Sequence, residues 1–185
     1  MDGASDATPA APPIPPVSAP ELLARRLPAE AAGFTRGALV PIRQPQVGVE
    51  QAYATPGRTA AAFVQVLRPA GGEQLPQGTS SPAVQQEYQR SVTEAERGTG
   101  PHRRLRVANE FNEPEADPIF RCAELEGTYG RQPVQSMICV GAAGGQLLRV
   151  RASMPRRTPA LADSRAFLRE IVSSMRNVPT PPEGG

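Results

Sequence analysis

Between Ile119 and Met154 three alternating segments, Ile119–Glu126, Val134–Val140 and Gln146–Met154, are separated only by short glycine-marked stretches, Gly127–Gly130 and Gly141–Gly145. Parallel strands need a crossover of a dozen or more residues, and these gaps hold no such length. The three segments are therefore expected to pair antiparallel, as a meander closed by hairpins. Any fold for this chain has to be built around that unit.

Upstream, Gln46–Ala54 and Arg58–Leu67 alternate in the same way. Between them, Thr55-Pro56-Gly57-Arg58 puts proline and glycine at the central positions a type II turn favours. Arg58–Leu67 is apolar on both faces, which predicts a central strand covered on both sides. His102–Phe111 completes a set of about six strands. A helix is expected after Ser81, a suitable N-cap, with Pro82 at its first position and Val84, Tyr88, Val92 and Ala95 at helical spacing. Gly98 and Gly100 stop it. A second helix is read from Thr158 as cap and Pro159 as first residue, with Leu161, Phe167, Leu168, Ile171, Val172 and Met175 on one arc. A short helix over Pro20–Leu27 precedes them. Sequential strands with one-sided helices give the expected class: α+β, a mainly antiparallel sheet of about six strands flanked by helices on both faces, an α/β/α sandwich.

Of the 22 prolines, six fall in residues 1–20 and three in 177–185. Small residues without periodicity cannot bury enough surface to offset the entropy of ordering, so both flanks are read as disordered: an Ala/Pro-rich leader at 1–20 and a tail at 177–185. They bracket a single α+β domain at 21–176. Without Asp2, Asp6 and Glu183 that domain holds 20 arginines against 15 acids, a net of +5. This is mildly basic, and no nucleic acid is expected as a partner, since neither a concentrated basic patch nor interleaved aromatics is present. No apolar run approaches the ~20 residues of a membrane-spanning helix. The opening Met-Asp-Gly-Ala-Ser-Asp has neither a basic n-region nor an apolar h-region, so no intact signal is expected. An Ala/Pro-rich leader suits a semi-rigid spacer at a bacterial envelope, or equally a disordered cytoplasmic tail.

The two cysteines test the meander. With paired positions summing to 261, Leu125 faces Ser136, Ala123 faces Ile138, and Cys122 faces Cys139. A directly opposed pair lies near disulfide geometry. A bond there would imply an oxidising compartment; the alternative is two reduced cysteines packed as small hydrophobes. The same register puts Ala123, Leu125, Ile138, Val140, Leu148, Val150 and Ala152 on a core face. It leaves Cys122, Glu124, Glu126, Met137, Cys139, Arg149 and Arg151 on the other, read as a solvated charge ladder or a polar face receiving a partner.

Little catalytic chemistry is available. Glu124 and Glu126 point the same way from one strand, as acid–base carboxylates do, but alternating surface acids explain them as well. Glu113-Pro114-Glu115-Ala116-Asp117 spaces three acids without the glycine and distal glutamate of a calcium loop. Two cysteines and one histidine, His102, are too few for a closed zinc site, so no metal and no cofactor is expected. No G-x-S-x-G elbow occurs, and the Gly141–Gly145 loop precedes a strand, unlike a phosphate cradle. The densest positive positions are Arg103, Arg104, Arg106, Arg156 and Arg157; with Arg149 and Arg151 they are the candidate partner-binding residues.

Leu27–Phe34 (LPAEAAGF) before the first strands resembles the PsbP-like superfamily, as does Leu147–Pro155 (LLRVRASMP) followed by Ala160–Met175 (ALADSRAFLREIVSSM). The resemblance covers about 27–176 and is carried by pattern, not by a diagnostic motif. It implies a mostly non-catalytic fold, used by extrinsic subunits of membrane complexes and by uncharacterised exported bacterial proteins. The expectation is a non-enzymatic extracytoplasmic (periplasmic) accessory subunit docking on a larger envelope or membrane protein complex, with peripheral membrane association open. The alternative is a small-ligand or lipid-binding domain, and a distant one is a hydrolase using Glu124 and Glu126.

Overall fold

Turn chemistry decides where each strand of this chain ends. Thr55-Pro56-Gly57-Arg58 closes through Arg58 N–H to Thr55 O at 2.9 Å, with Gly57 at φ 72° as a type II turn requires. The second meander turn uses Gly144 and Gly145 alone, at φ 59° and 80°, conformations that cost glycine nothing. The computed structural model describes residues 8–13, 16–98 and 100–179.

The elements run α1 (Ala19–Ala24), β1 (Glu30–Ala31), β2 (Phe34–Ile42), β3 (Gly48–Ala54), β4 (Ala61–Leu67), α2 (Pro82–Arg97), β5 (Arg103–Glu113), β6 (Phe120–Tyr129), β7 (Gln132–Ala143), β8 (Gln146–Pro155) and α3 (Ser164–Met175). The strands form one antiparallel sheet in the order β1-β2-β3-β4-β8-β7-β6-β5. The expected six-stranded sheet sandwiched between helices is therefore wrong: the molecule is an eight-stranded, mostly-strand sheet curled into a half-barrel, with few helices. Two causes are visible. β1 and β2 escape a periodicity search because β2 (FTRGALVPI) is largely exposed and carries Gly37 and Pro41, which only an outer strand tolerates. The curl goes with register shifts in β2, between Arg36 and Leu39, and in β5, between Val107 and Asn109, since bulges add twist.

Residues 1–7 and 14–15 of the leader and 180–185 of the tail lie outside the described residues; α1 begins at Ala19, inside the expected leader. Ser18 caps it, and Leu23, Ala24 and Leu27 are buried. β4 is interior, between β3 and β8, as its two apolar faces predict. Ser81 caps α2 through Val84 N–H at 3.3 Å. The closing helix starts later than expected: Asp163, not Thr158, accepts from Ala166 N–H at 3.0 Å, and Leu161 packs on the core before the helix begins.

The register of the first hairpin is the expected one, with Cys122 opposite Cys139, Ala123 opposite Ile138 and Leu125 opposite Ser136. Its loop is not. Both strands run on to Tyr129 and Gln132, because Gly127 serves as a strand residue: a Cβ there would sit 1.7 Å from Arg104 O on β5. The face assignment also needs correction. Cys139 faces Val150 and Ile138 faces Arg151, so Leu148, Val150 and Ala152 share the disulfide side, whereas Arg149 and Arg151 share the α2 side. The expected ladder of Glu124 and Glu126 with Arg149 and Arg151 is absent among the described residues, because the two arginines lie on the other face. Cys122, Met137 and Cys139 belong to a core cluster with Phe34, Tyr53, Val64, Val150, Phe167 and Ile171. Ala123, Leu125, Ile138 and Val140 form a second cluster with Val84, Tyr88 and Leu147.

Candidate anion-binding cleft

β4, β8, β7, β6 and β5 are successive strands of the sheet, and its curl lets them line one cleft of about 380 Å³. β4 contributes Phe63; β8 contributes Arg151, Ser153, Met154 and Pro155. β7 adds Val134 and Ser136, β6 adds Tyr129, and β5 adds Arg103 and Leu105. All but Met154, which belongs to the disulfide-side core and borders the cleft, arrive by the two-residue period of their strands. Phe63 faces Arg151, Ser136 faces Ser153, and Arg103 faces Tyr129 across their ladders. α2 stops short of this region at Gly98, where a Cβ would lie 2.8 Å from Arg103 O, so the helix end abuts the cleft without filling it. Phe63 stands outside both core clusters and is half-buried.

Arg151 is the junction of the site. It lines the cleft, a 140 Å³ cavity with Arg103, Ser136 and Glu94, and a 60 Å³ cavity with Arg149, Gln65 and Glu50. Burial lowers its pKa from the ordinary guanidinium value, and the charges of Arg149 and Arg103 lower it further; Glu94 and Glu50 act the other way without reversing the direction. Among the described residues neither Arg151 nor Arg103 makes an ion pair. Ser136 Oγ and Ser153 Oγ lie 2.6 Å apart beside them, and Ser136 Oγ also donates to Ala152 O at 3.2 Å. Two half-buried cations without a direct ion-pair partner among the described residues, with hydroxyls at hand and Glu94 and Glu50 in the adjoining cavities, form a site biased to positive charge.

Arg149, on the same face, is engaged. Its Nε donates to Gln65 at 2.6 Å and its guanidinium pairs at 2.8 Å with Glu87, which is buried in α2 and also pairs with Arg90. Gln65 in turn donates to Glu50 at 2.6 Å. This network clips α2 to β3, β4 and β8 and holds Arg149 as the neighbour that Arg151 feels.

The other sequence-derived candidates separate from the cleft. Arg104 and Arg106 are exposed and alternate away from Arg103 on β5, Arg106 facing Glu126. Arg156 pairs with Glu126 at 3.3 Å, and Arg157 is exposed beyond β8. Glu124 is held by Arg165, whose guanidinium lies 4.0 Å from the centre of the Phe111 ring. A larger hollow of about 460 Å³ lies along Glu124, Glu126 and Asp163, yet each carboxylate there has a partner: Arg165, Arg156 and the Ala166 amide. Among the described residues no three His, Cys, Asp or Glu side chains converge in a metal-binding group. Cys122 and Cys139 are joined in a disulfide, Cα atoms 4.1 Å apart, with neither residue exposed.

Set against known proteins, the chain matches no family model, no curated protein and no solved structure. Nothing in those comparisons identifies the PsbP-like superfamily.

Phe63, Tyr129, Ser136 and Ser153 were not anticipated as site residues. The signal was there to use: carrying the pairing through a two-residue Gly144–Gly145 turn sets Ser136 against Ser153 and moves both Arg149 and Arg151 to the face of Phe63.

Proposed function

We propose that this chain is a non-enzymatic, extracytoplasmic binding module that takes an anionic ligand into the cleft beside Arg151 and Arg103. The observation that carries this reading is the half-buried Arg151 with no ion-pair partner among the described residues and a second unpaired arginine, Arg103, lining the same cleft. A buried cation is costly unless paired, and a bound carboxylate or phosphate would supply the missing charge through strong, directional hydrogen bonds. Placement outside the cytoplasm is supported by the Cys122–Cys139 disulfide, a bond that reducing compartments do not maintain. No helix among the described residues is long and apolar enough to cross a membrane.

Isothermal titration with inorganic phosphate and with butyrate tests the reading. Both should bind the wild-type protein, and Arg151→Gln should weaken them about ten-fold or more, the scale of a hydrogen bond to a charged group. Arg104→Gln, on the other side of the sheet, should leave them unchanged. Equal binding by wild type and Arg151→Gln, or no binding at all, would sink the proposal.

The accessory-subunit reading has one observation of its own. β5 ends the sheet, and no strand pairs with its outer side among the described residues, which leaves Arg104 and Arg106 on an open edge for a protein partner. Co-purification from envelope fractions that survives reversal of both charges would remove it.

A further inference from the structure

We infer that the ligand of this cleft is an amphiphile, with an anionic head beside Arg151 and Arg103 and an unbranched apolar body lying against Phe63, Val134 and Pro155. The inference rests on the anion-binding reading and adds the chemistry of the rest of the ligand. Around Arg151 the acids and the wall lie on different sides. The two small cavities that share it hold Glu94 in one and Glu50 with Gln65 in the other, beside Ala95, Ile138 and Phe63. The 380 Å³ cleft that opens from it is walled mostly by Phe63, Leu105, Val134, Met154, Pro155 and the Tyr129 ring. That volume falls within the usual range for small-molecule sites, which are mostly apolar with a few placed polar groups.

An inorganic anion would meet the two guanidinium groups and leave this apolar wall wet. Phe63 is half-buried and Tyr129 is 64% exposed, so the wall has surface left to cover. A straight hydrocarbon chain attached to the anionic group covers it and gains affinity with every methylene removed from water. A cationic amphiphile would be repelled by Arg103 and Arg151. A carboxylate and a phosphate head serve two guanidinium groups alike, so decanoate and decyl phosphate both represent the class.

The experiment is a calorimetric series below the critical micelle concentration: inorganic phosphate, butyrate, octanoate, decanoate, decyl phosphate and decylamine, titrated into the full chain. Decanoate should bind about ten-fold more tightly than octanoate, the return expected for two buried methylenes. Decylamine should not bind. Tyr129→Ser should weaken decanoate several-fold. If only decyl phosphate gains over its bare head group, the head is a phosphate and the inference stands. Affinities that stay flat with chain length, with phosphate and butyrate still lost in Arg151→Gln, would overturn the amphiphile and leave the anion site intact. Decylamine binding as tightly as decanoate would overturn both. The chain-length series needs only the wild-type protein, so it decides the matter even if Arg151→Gln fails to fold.

Discussion

Replacing Cys122 and Cys139 together by alanine removes a covalent tie near the open end of the β6–β7 hairpin. The bond closes 17 residues of chain. The chain-entropy argument sets its stabilisation at about 3 kcal/mol for a loop of that length. Both residues are fully buried in the cluster that holds Phe167 and Ile171, so losing two sulfur atoms opens a small void worth about 1 kcal/mol more. A loss of about 4 kcal/mol is a large part of the 5–15 kcal/mol that holds an ordinary domain together. For a chain of this size it lowers the melting temperature by roughly 8–16 °C. Urea unfolding of the oxidised wild type and the double-alanine variant, followed by far-ultraviolet circular dichroism, measures the difference. A change below about 1 kcal/mol would refute the reasoning, because it would mean that the hairpin is equally restrained without the bond. Burial gives a second readout. The bond should resist reductant in the native protein and yield two titratable thiols only once the chain unfolds.

Two further outcomes follow from the buried polar groups. Glu87→Leu should destabilise by about 2–3 kcal/mol, at the low end for a broken buried ion pair because Arg149 retains 21% exposure, and adding Arg149→Met should recover much of the loss in the same urea assay. The hydroxyl of Tyr53 donates to Pro28 O at 2.7 Å, and burial pushes its pKa up to about 12, Arg36 offsetting part of the rise. The folded state therefore favours the neutral phenol. Its contribution is full below the unfolded value of about 10 and is lost as pH rises through about 12, so alkaline unfolding should fall in that window. Tyr88, raised by burial and by its hydrogen bond to Glu110, acts in the same direction, and phenolate absorbance of these two rings should appear together with loss of circular dichroism.

Much of the meander was legible because a hairpin register is local. Once Cys122 is set against Cys139, every pair from Phe120 to Tyr129 follows; of the two states left open for the cysteines, the bonded one is found. The outer strands were not legible. β2 places Leu39, Val40 and Pro41 in the open, so burial imposes no alternation for a sequence reading to detect. The face error had a similar root: a two-residue turn at Gly144–Gly145 was read as a five-residue loop, and the resulting odd slip, of three residues, exchanges the faces of β8. That slip hid the cleft, since it put Arg149 and Arg151 with the disulfide instead of with Phe63. The α2 anchor was beyond reach for a different reason. Glu87 reads as one more polar residue on a solvated helix face, and only the packed structure shows it buried against Arg149. The closing helix was read from its apolar arc, yet its start was misplaced because Thr158-Pro159 and Asp163 are both sound cap signals, and Leu161 packs on the core from the bend before the helix.

The most direct test of the binding cleft is to follow the arginine Nε–Hε resonances of the nitrogen-15-labelled chain by nuclear magnetic resonance during titration with decanoate. Binding as described shifts Arg103 and Arg151 together along one saturating curve and leaves Arg104, Arg106 and Arg156 in place. Saturation with Arg151 unmoved, or shifts spread evenly over the exposed arginines, would contradict it.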